Sequence, residues 1–278
     1  MTRSSFIELS GADDARLQPF RWRDRELDPR LPRPEAPHGW FIAEGDLVVE
    51  RALAAGYEPV AVLADLTRRP AVLDRVPGDV PVFVADAAIR RIMTGLSVTL
   101  DVVGLFHRRP PAPIAELVER CRRVVVVQEV DNPSNLGTII RSAVALGIDG
   151  LVVDRTSADP LARRSARVSM GTVFGLKWAR TDELPAGLEP FRSAGVRLLG
   201  LTPSPVAQDL ARIELGPDER AALLFGSERN GLSEAVLAAV EPVRIPMHDG
   251  VDSLNVAAAA SIACYVFGST RAASWPGV

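Results

Sequence analysis

Short apolar runs alternate with amphipathic stretches along almost the whole chain. In "RRVVVVQEV" (122–130) four consecutive valines stand between polar residues. That length and β-branched content predict a buried strand. After "DNPSN", residues Ile139, Ile140, Ala143, Val144 and Leu146 recur at helical spacing, and Gly147 supplies a stop. The pattern continues with candidate strands "GLVVD", "VRLLGLT", "AALLFG" and "VRIPM", with helical segments between most of them. Such alternation predicts an α/β fold with a mainly parallel sheet covered on both faces. The last segment, "SLNVAAAASIACYVFGST", is alanine-rich and predicts a closely packing helix.

The N-terminal half reads as a separate α/β unit. "WFIAEG", "PVAVLAD", "VPVFVAD" and "VVGLF" are candidate strands, and "DLVVERALAAGY" and "AAIRRIMTG" candidate helices. Residues 1–37 are rich in proline and charge and predict an irregular or helical extension. At "HRRPPAPIAELVERCRR", Pro110, Pro111 and Pro113 forbid a continuing helix or central strand and stiffen the connection. A short amphipathic helix follows. The expected division is an N-terminal domain with its extension (1–109), a linker (110–121) and a C-terminal domain (122–278).

Composition narrows the function classes without choosing one. The 278 residues provide enough core for two modest domains. A net charge of −3 gives no general electrostatic basis for binding nucleic acid or a membrane. Cys121 and Cys264 have neither ligand-like spacing nor a disulfide framework, which fits a reducing cytoplasm and no metal site. The N-terminus lacks a signal-peptide core. The longest apolar run, "VAAAASIACYVFG", is too short to span a bilayer. A soluble, cytoplasmic protein is expected. Neither G-x-G-x-x-G after a strand nor G-x-x-x-x-G-K-[ST] is present, which disfavours an ordinary dinucleotide site or a P-loop.

The candidate chemistry lies in three polar, glycine-containing stretches at predicted strand ends: "DNPSNLGTIIRSA", "FGSERNGLS" and "IPMHDGVDSLN". Strand ends on one edge of a parallel sheet converge, so three such loops can build one pocket. Taken singly, each has a plain backbone explanation. Asn135 and Gly137 suit a turn and helix start, Glu228 a helix-start carboxylate, and Ser253 an N-cap with Asn255 just inside. Arg141 sits where most arginines are simply solvated.

Taken together and in this order, the three stretches resemble the motifs of the SpoU family of RNA ribose 2′-O-methyltransferases, within the SPOUT superfamily. The first is carried by Asn135, Gly137 and Arg141, the second by Gly226, Glu228, Gly231 and Leu232. The third is carried by Ile245, Pro246, Met247, Ser253, Leu254 and Asn255. The resemblance covers residues 122–268. Residues 38–106 are similar to the ribosomal-protein-like substrate-binding domain that many members carry.

The resemblance implies a C-terminal SPOUT domain with a deep trefoil knot, dimerisation across it, and S-adenosyl-L-methionine bound by the knot loops. Asn135, Arg141, Glu228, Ser253 and Asn255 would carry the chemistry. Gly226, Ile245, Met247 and Leu254 would hold the cofactor, with Leu201 and Thr202 as further walls. A guanidinium is effectively always protonated, so Arg141 suits phosphate binding and oxyanion stabilisation better than proton abstraction. Glu228 would hold Arg141 or accept the proton. Arg163, Arg164 and Arg167 would touch RNA, or form a solvated face or dimer contact. The expected partners are ribosomal or transfer RNA and a second copy of the chain, with no DNA, since a 2′-hydroxyl target is specific to RNA. The alternatives are a non-catalytic RNA-binding protein and a small-molecule enzyme using the same pocket.

Overall fold

The computed structural model describes residues 6–268 except 10, 28–33, 69, 217 and 249. Parts of the expected extension (1–5, 10 and 28–33) and the C-terminal end of the second domain (269–278), including Ser269 and Thr270 of the expected last helix, lie outside the described residues. The chain divides into two compact units, residues 1–110 with 161–175, and residues 111–160 with 176–278.

The first unit carries β1 (Phe6–Glu8), α1 (Gln18–Arg21), α2 (Asp24–Leu27), β2 (Trp40–Glu44), α3 (Asp46–Ala54), β3 (Pro59–Ala64), β4 (Val82–Val84), α4 (Ala87–Thr94) and β5 (Val102–His107). Its sheet runs β1-β4-β3-β5-β2, with β5 antiparallel to both of its neighbours. The extension is helical in part, as expected, and it is core as well. Leu17, Phe20 and Leu27 are buried with Trp40, Ile42, Leu63 and Met93 in one cluster. Strand β1 was not anticipated, because three residues in a polar stretch carry no periodic signal.

The second unit opens with α5 (Ile114–Arg120), β6 (Arg123–Val127), α6 (Pro133–Ala145) and β7 (Gly150–Asp154). Residues 161–175, with α7 (Arg163–Val168), then cluster with the first unit. The chain continues through β8 (Lys177–Thr181), α8 (Glu189–Ser193), β9 (Arg197–Leu201), β10 (Gln208–Asp209), β11 (Ala221–Phe225), α9 (Glu234–Leu237), β12 (Glu241–Arg244) and α10 (Val256–Gly268). All seven strands are parallel, in the order β10-β12-β9-β11-β6-β7-β8. The expected strand "VRIPM" ends earlier, at Arg244, so Ile245 and Met247 belong to the following loop.

Order decides where a ligand site forms. Strand β6 leads through α6 to β7 on one side, while its neighbour β11 leads to β12 on the other. Adjacent strands whose connections diverge leave a crevice beyond their carboxyl ends. The first two motif loops leave from those ends. Helices α6 and α10 pack tightly beside them. Ser261 Oγ donates to Ser142 Oγ at 2.8 Å, and Gly268 lies so close to the Leu146 carbonyl that no side chain would fit.

Candidate functional site

Each motif loop is shaped by its own backbone chemistry. In the first, Asn132 caps α6, its Oδ1 accepting the Ser134 N–H at 2.9 Å, and Pro133 opens the helix. Asn135 thus stands in the first turn, half-buried. In the second, the loop closes on itself, with the Gly231 N–H donating to the Ser227 carbonyl at 2.9 Å. A side chain at Gly226 would run into the Gly231 backbone, and Gly231 has φ +66°. These glycines are demanded by the loop's own closure, whereas the sequence suggested close approach to a ligand at Gly226. The closure leaves Glu228 exposed near the tip.

The third loop corrects the expected cap. Asn255, not Ser253, begins the last helix, its Oδ1 accepting the N–H groups of Ala257 (2.9 Å) and Ala258 (3.3 Å). With its carbonyl oxygen committed, the Asn255 amide points its Nδ2 outward. It donates to Asn135 Oδ1 and to Glu228 Oε1, each at 3.4 Å. One side chain from each motif therefore meets in a single cluster. Ser253 and Leu254 are exposed beside it, and Ser253 makes no hydrogen bond among the described residues. Gly226, Leu201 and Thr202 stand at the ends of β11 and β9, and Ile245 and Met247 follow β12 half-buried. The Thr202 N–H donates to the Val243 carbonyl at 2.9 Å, tying these ends together.

Arg141 is not part of the cluster. It is exposed and forms no hydrogen bond or ion pair among the described residues, so within one chain Glu228 does not hold it. Arg141 lies six positions beyond Asn135 along the helix, about 240° around the axis and about 9 Å along it. The two side chains leave different faces of α6.

Arg163 and Arg167 do not form a solvated face. Both pair with the buried Glu44 carboxylate, Arg163 at 3.4 Å, and the Arg163 N–H donates to Asp24 at 3.0 Å. Burial pushes the Glu44 carboxyl above its ordinary pKa despite both guanidinium groups, and pulls Arg163 down. Arg164 alone of the three is exposed.

Sequence reasoning missed a latch. Gln128, just past β6, donates from Nε2 to Ser233 Oγ at 3.1 Å and accepts the Ser233 N–H at 2.9 Å. Ser233 also caps α9. This pair ties the second loop to the strand that launches the first. A polar residue following four valines was the available signal.

Known proteins give the arrangement a context. A profile of the SpoU rRNA Methylase family matches residues 122–265. An uncharacterized tRNA/rRNA methyltransferase of Mycobacterium bovis is 38% identical over 263 residues, covering 93% of this chain and 90% of that one. A 23S rRNA (guanosine(2553)-2′-O)-methyltransferase of Bacillus subtilis is 27% identical, covering 81% and 87%. The crystal structure of an AdoMet-bound rRNA methyltransferase from Sinorhizobium meliloti superposes with a TM-score of 0.80 at 25% identity, covering 94% and 97%.

Proposed function

The chain belongs to the SpoU rRNA methylase family, and from that premise we propose that it methylates a ribose 2′-hydroxyl of RNA, ribosomal RNA in preference to transfer RNA, with S-adenosyl-L-methionine as cofactor. The observation that carries this reading is the meeting of Asn135, Glu228 and Asn255 beyond the strand ends. The 2′-O-specificity named for the Bacillus relative and the AdoMet bound in the Sinorhizobium structure support it.

The residues fit the cofactor. Ile245 and Met247 stay half-buried and Leu254 is 38% exposed, apolar groups left uncovered beside polar loops. With Leu201, Thr202 and Gly226 they would hold it, the apolar side chains enclosing the adenine. When bound, S-adenosyl-L-methionine supplies an electrophilic methyl group. The chain's own work is to align the ribose, take up its proton and exclude water. Asn135 and Asn255 orient the ribose, Ser253 positions the attacking oxygen, and Glu228, near the exposed tip, accepts the proton. Arg141 binds the target phosphate and stabilises the forming oxyanion, as a planar, permanently charged fork is suited to do.

The active unit in this reading is a homodimer through the C-terminal domain. Arg141 leaves α6 on a face turned away from Asn135, so a second copy is the source of the arginine at each site. Helix α10 offers a surface for it, with Ala258 exposed, Ile262 42% exposed and Tyr265 64% exposed along one side. The deep trefoil knot and the division into an RNA-binding domain (1–109), linker (110–121) and methyltransferase domain (122–278) belong to the same proposal, as does action in the cytoplasm. No helix of the described residues is long and apolar enough to cross a membrane.

The test is to incubate the protein and S-adenosyl-L-methionine with ribosomal RNA and with transfer RNA, and to map new methyl groups. A new 2′-O-methyl nucleotide in ribosomal RNA is expected. Methylation confined to bases, or none in either RNA, would overturn the reading.

A further inference from the structure

The first unit contains an open cleft of about 370 Å³ that the proposed chemistry does not use. Its walls come from the extension (Arg21, Trp22, Arg23), from the end of α4 (Ile92, Met93) and from Arg163. That volume is within the range of about 300–1,000 Å³ typical of small-ligand sites.

The lining is sorted by chemistry. Trp22 is half-buried and stacks on Trp40, ring centroids 5.7 Å apart and planes 16° apart, so its indole is held in a fixed orientation. Ile92, 52% exposed, adds an apolar surface. Asp24 is already engaged by the Arg163 N–H, and Arg163 itself is turned onto Glu44. The positive charge offered to solvent therefore comes from Arg21 and Arg23, both exposed. Helix α4 ends here at Gly95 (φ +67°). Carbonyls in a last helical turn lack intrahelical donors, and they can accept from the N–H groups of nucleobases, uracil N3–H included. An oriented aromatic ring flanked by arginines is how proteins hold single-stranded nucleic acid.

We propose that this cleft takes one unpaired nucleotide of the RNA substrate, its base stacked at Trp22 and its phosphates on Arg21 and Arg23. The assignment rests on the reading of the chain as an RNA methyltransferase. It accounts for a near-neutral chain engaging RNA, since the charge is local, and it gives the extension a task besides filling the core.

The experiment titrates the full-length protein into a short labelled oligouridine at several salt concentrations, following anisotropy and intrinsic fluorescence. The double variant Arg21→Gln with Arg23→Gln should lower the salt slope by about 1.4, at roughly 0.7 for each single-strand phosphate that an arginine no longer neutralises. Trp22→Phe keeps a ring against Trp40 and should lose most of the RNA-induced quenching. An unchanged slope in the double variant overturns the proposal, and so does binding of oligouridine by neither protein. Equal competition by polyglutamate would point to an acidic protein partner and overturn it too. If Trp22→Phe does not fold, the arginine variant decides alone. A parallel S-adenosyl-L-methionine titration separates this from the functional reading. Wild type that binds oligouridine but no cofactor would overturn the methyltransferase reading while supporting the cleft.

Discussion

Two polar clusters, one in each unit, are exposed to opposite degrees. In the first unit Arg90 and Glu44 are buried and paired with oppositely charged side chains. The Arg90 side chain is 2% exposed and donates to Asp65 and to the Ala85 carbonyl, both at 2.7 Å. Glu44 is buried under Arg163 and Arg167. In the second unit the motif side chains Asn135, Glu228 and Asn255 meet at 3.4 Å, and Glu228 and Asn255 are exposed. Exposed bonds of that length are weak and open to exchange for a ligand's groups. The difference teaches that rigidity at the site comes from hydrogen bonds that fasten the loop backbones. The cap made by Asn255, the closure from Ser227 to Gly231 and the Gln128–Ser233 latch hold the loops, and the side-chain tips remain available.

The comparison can be broken where the charges are buried. Asp65→Ala leaves the buried Arg90 guanidinium without its carboxylate and should cost about 1–3 kcal/mol of stability, the penalty for an unsatisfied buried polar group. Urea unfolding measures it, and a loss below about 1 kcal/mol, the typical worth of a surface pair, would show that the inward charges are no more structural than exposed ones. The pH dependence sharpens the point. Hydrogen bonds from Thr67, together with Arg90, hold the Asp65 carboxyl down at about 2, below its ordinary 3.8. A depressed folded-state pKa means that stability is fully present above the ordinary value and is lost as pH falls through about 2. Asp65→Asn should flatten that acid limb.

In the second unit the expected losses are of activity. Arg141→Ala should slow single-turnover methyl transfer roughly a hundred- to a thousand-fold, or about 2.7–4 kcal/mol, while cofactor affinity stays near normal. Lysine should rescue poorly, because a point charge cannot replace a planar fork. Near-normal turnover in Arg141→Ala would remove it from the chemistry. The smallest effect is expected at the latch. Ser233→Ala removes a helix cap and a loop tie and should cost about 1 kcal/mol of stability. It should also lower turnover, whereas a change in stability alone would reduce the latch to scaffolding.

Much of this arrangement was legible in the sequence, for reasons that differ by element. Strands β6, β7, β9 and β11 are buried through most or all of their length, so their apolar runs announced them. Strand β8, "KWART", lies at the sheet edge with Lys177 exposed and mixes charge into its pattern, and it went unseen. The three motif loops were legible as strand-end turns. Their joint geometry was not, because Asn255 serves both as a cap and as the hub of the cluster, two tasks that one asparagine advertises identically. Nor could spacing show that α7 clusters with the first unit, since Glu44 and Arg163 are far apart along the chain.

The most direct test of the proposed two-chain site mixes two inactive variants. Arg141→Ala and Glu228→Gln are each prepared alone, unfolded together and refolded as mixed dimers. If each site takes Glu228 from one chain and Arg141 from its partner, a mixed dimer has one intact site of two. Random pairing should then restore about a quarter of wild-type methyl transfer to RNA, following from the two-fold symmetry of the assembly. Mixed dimers that form and remain inactive would contradict the account, because both residues would then have to act from the same chain.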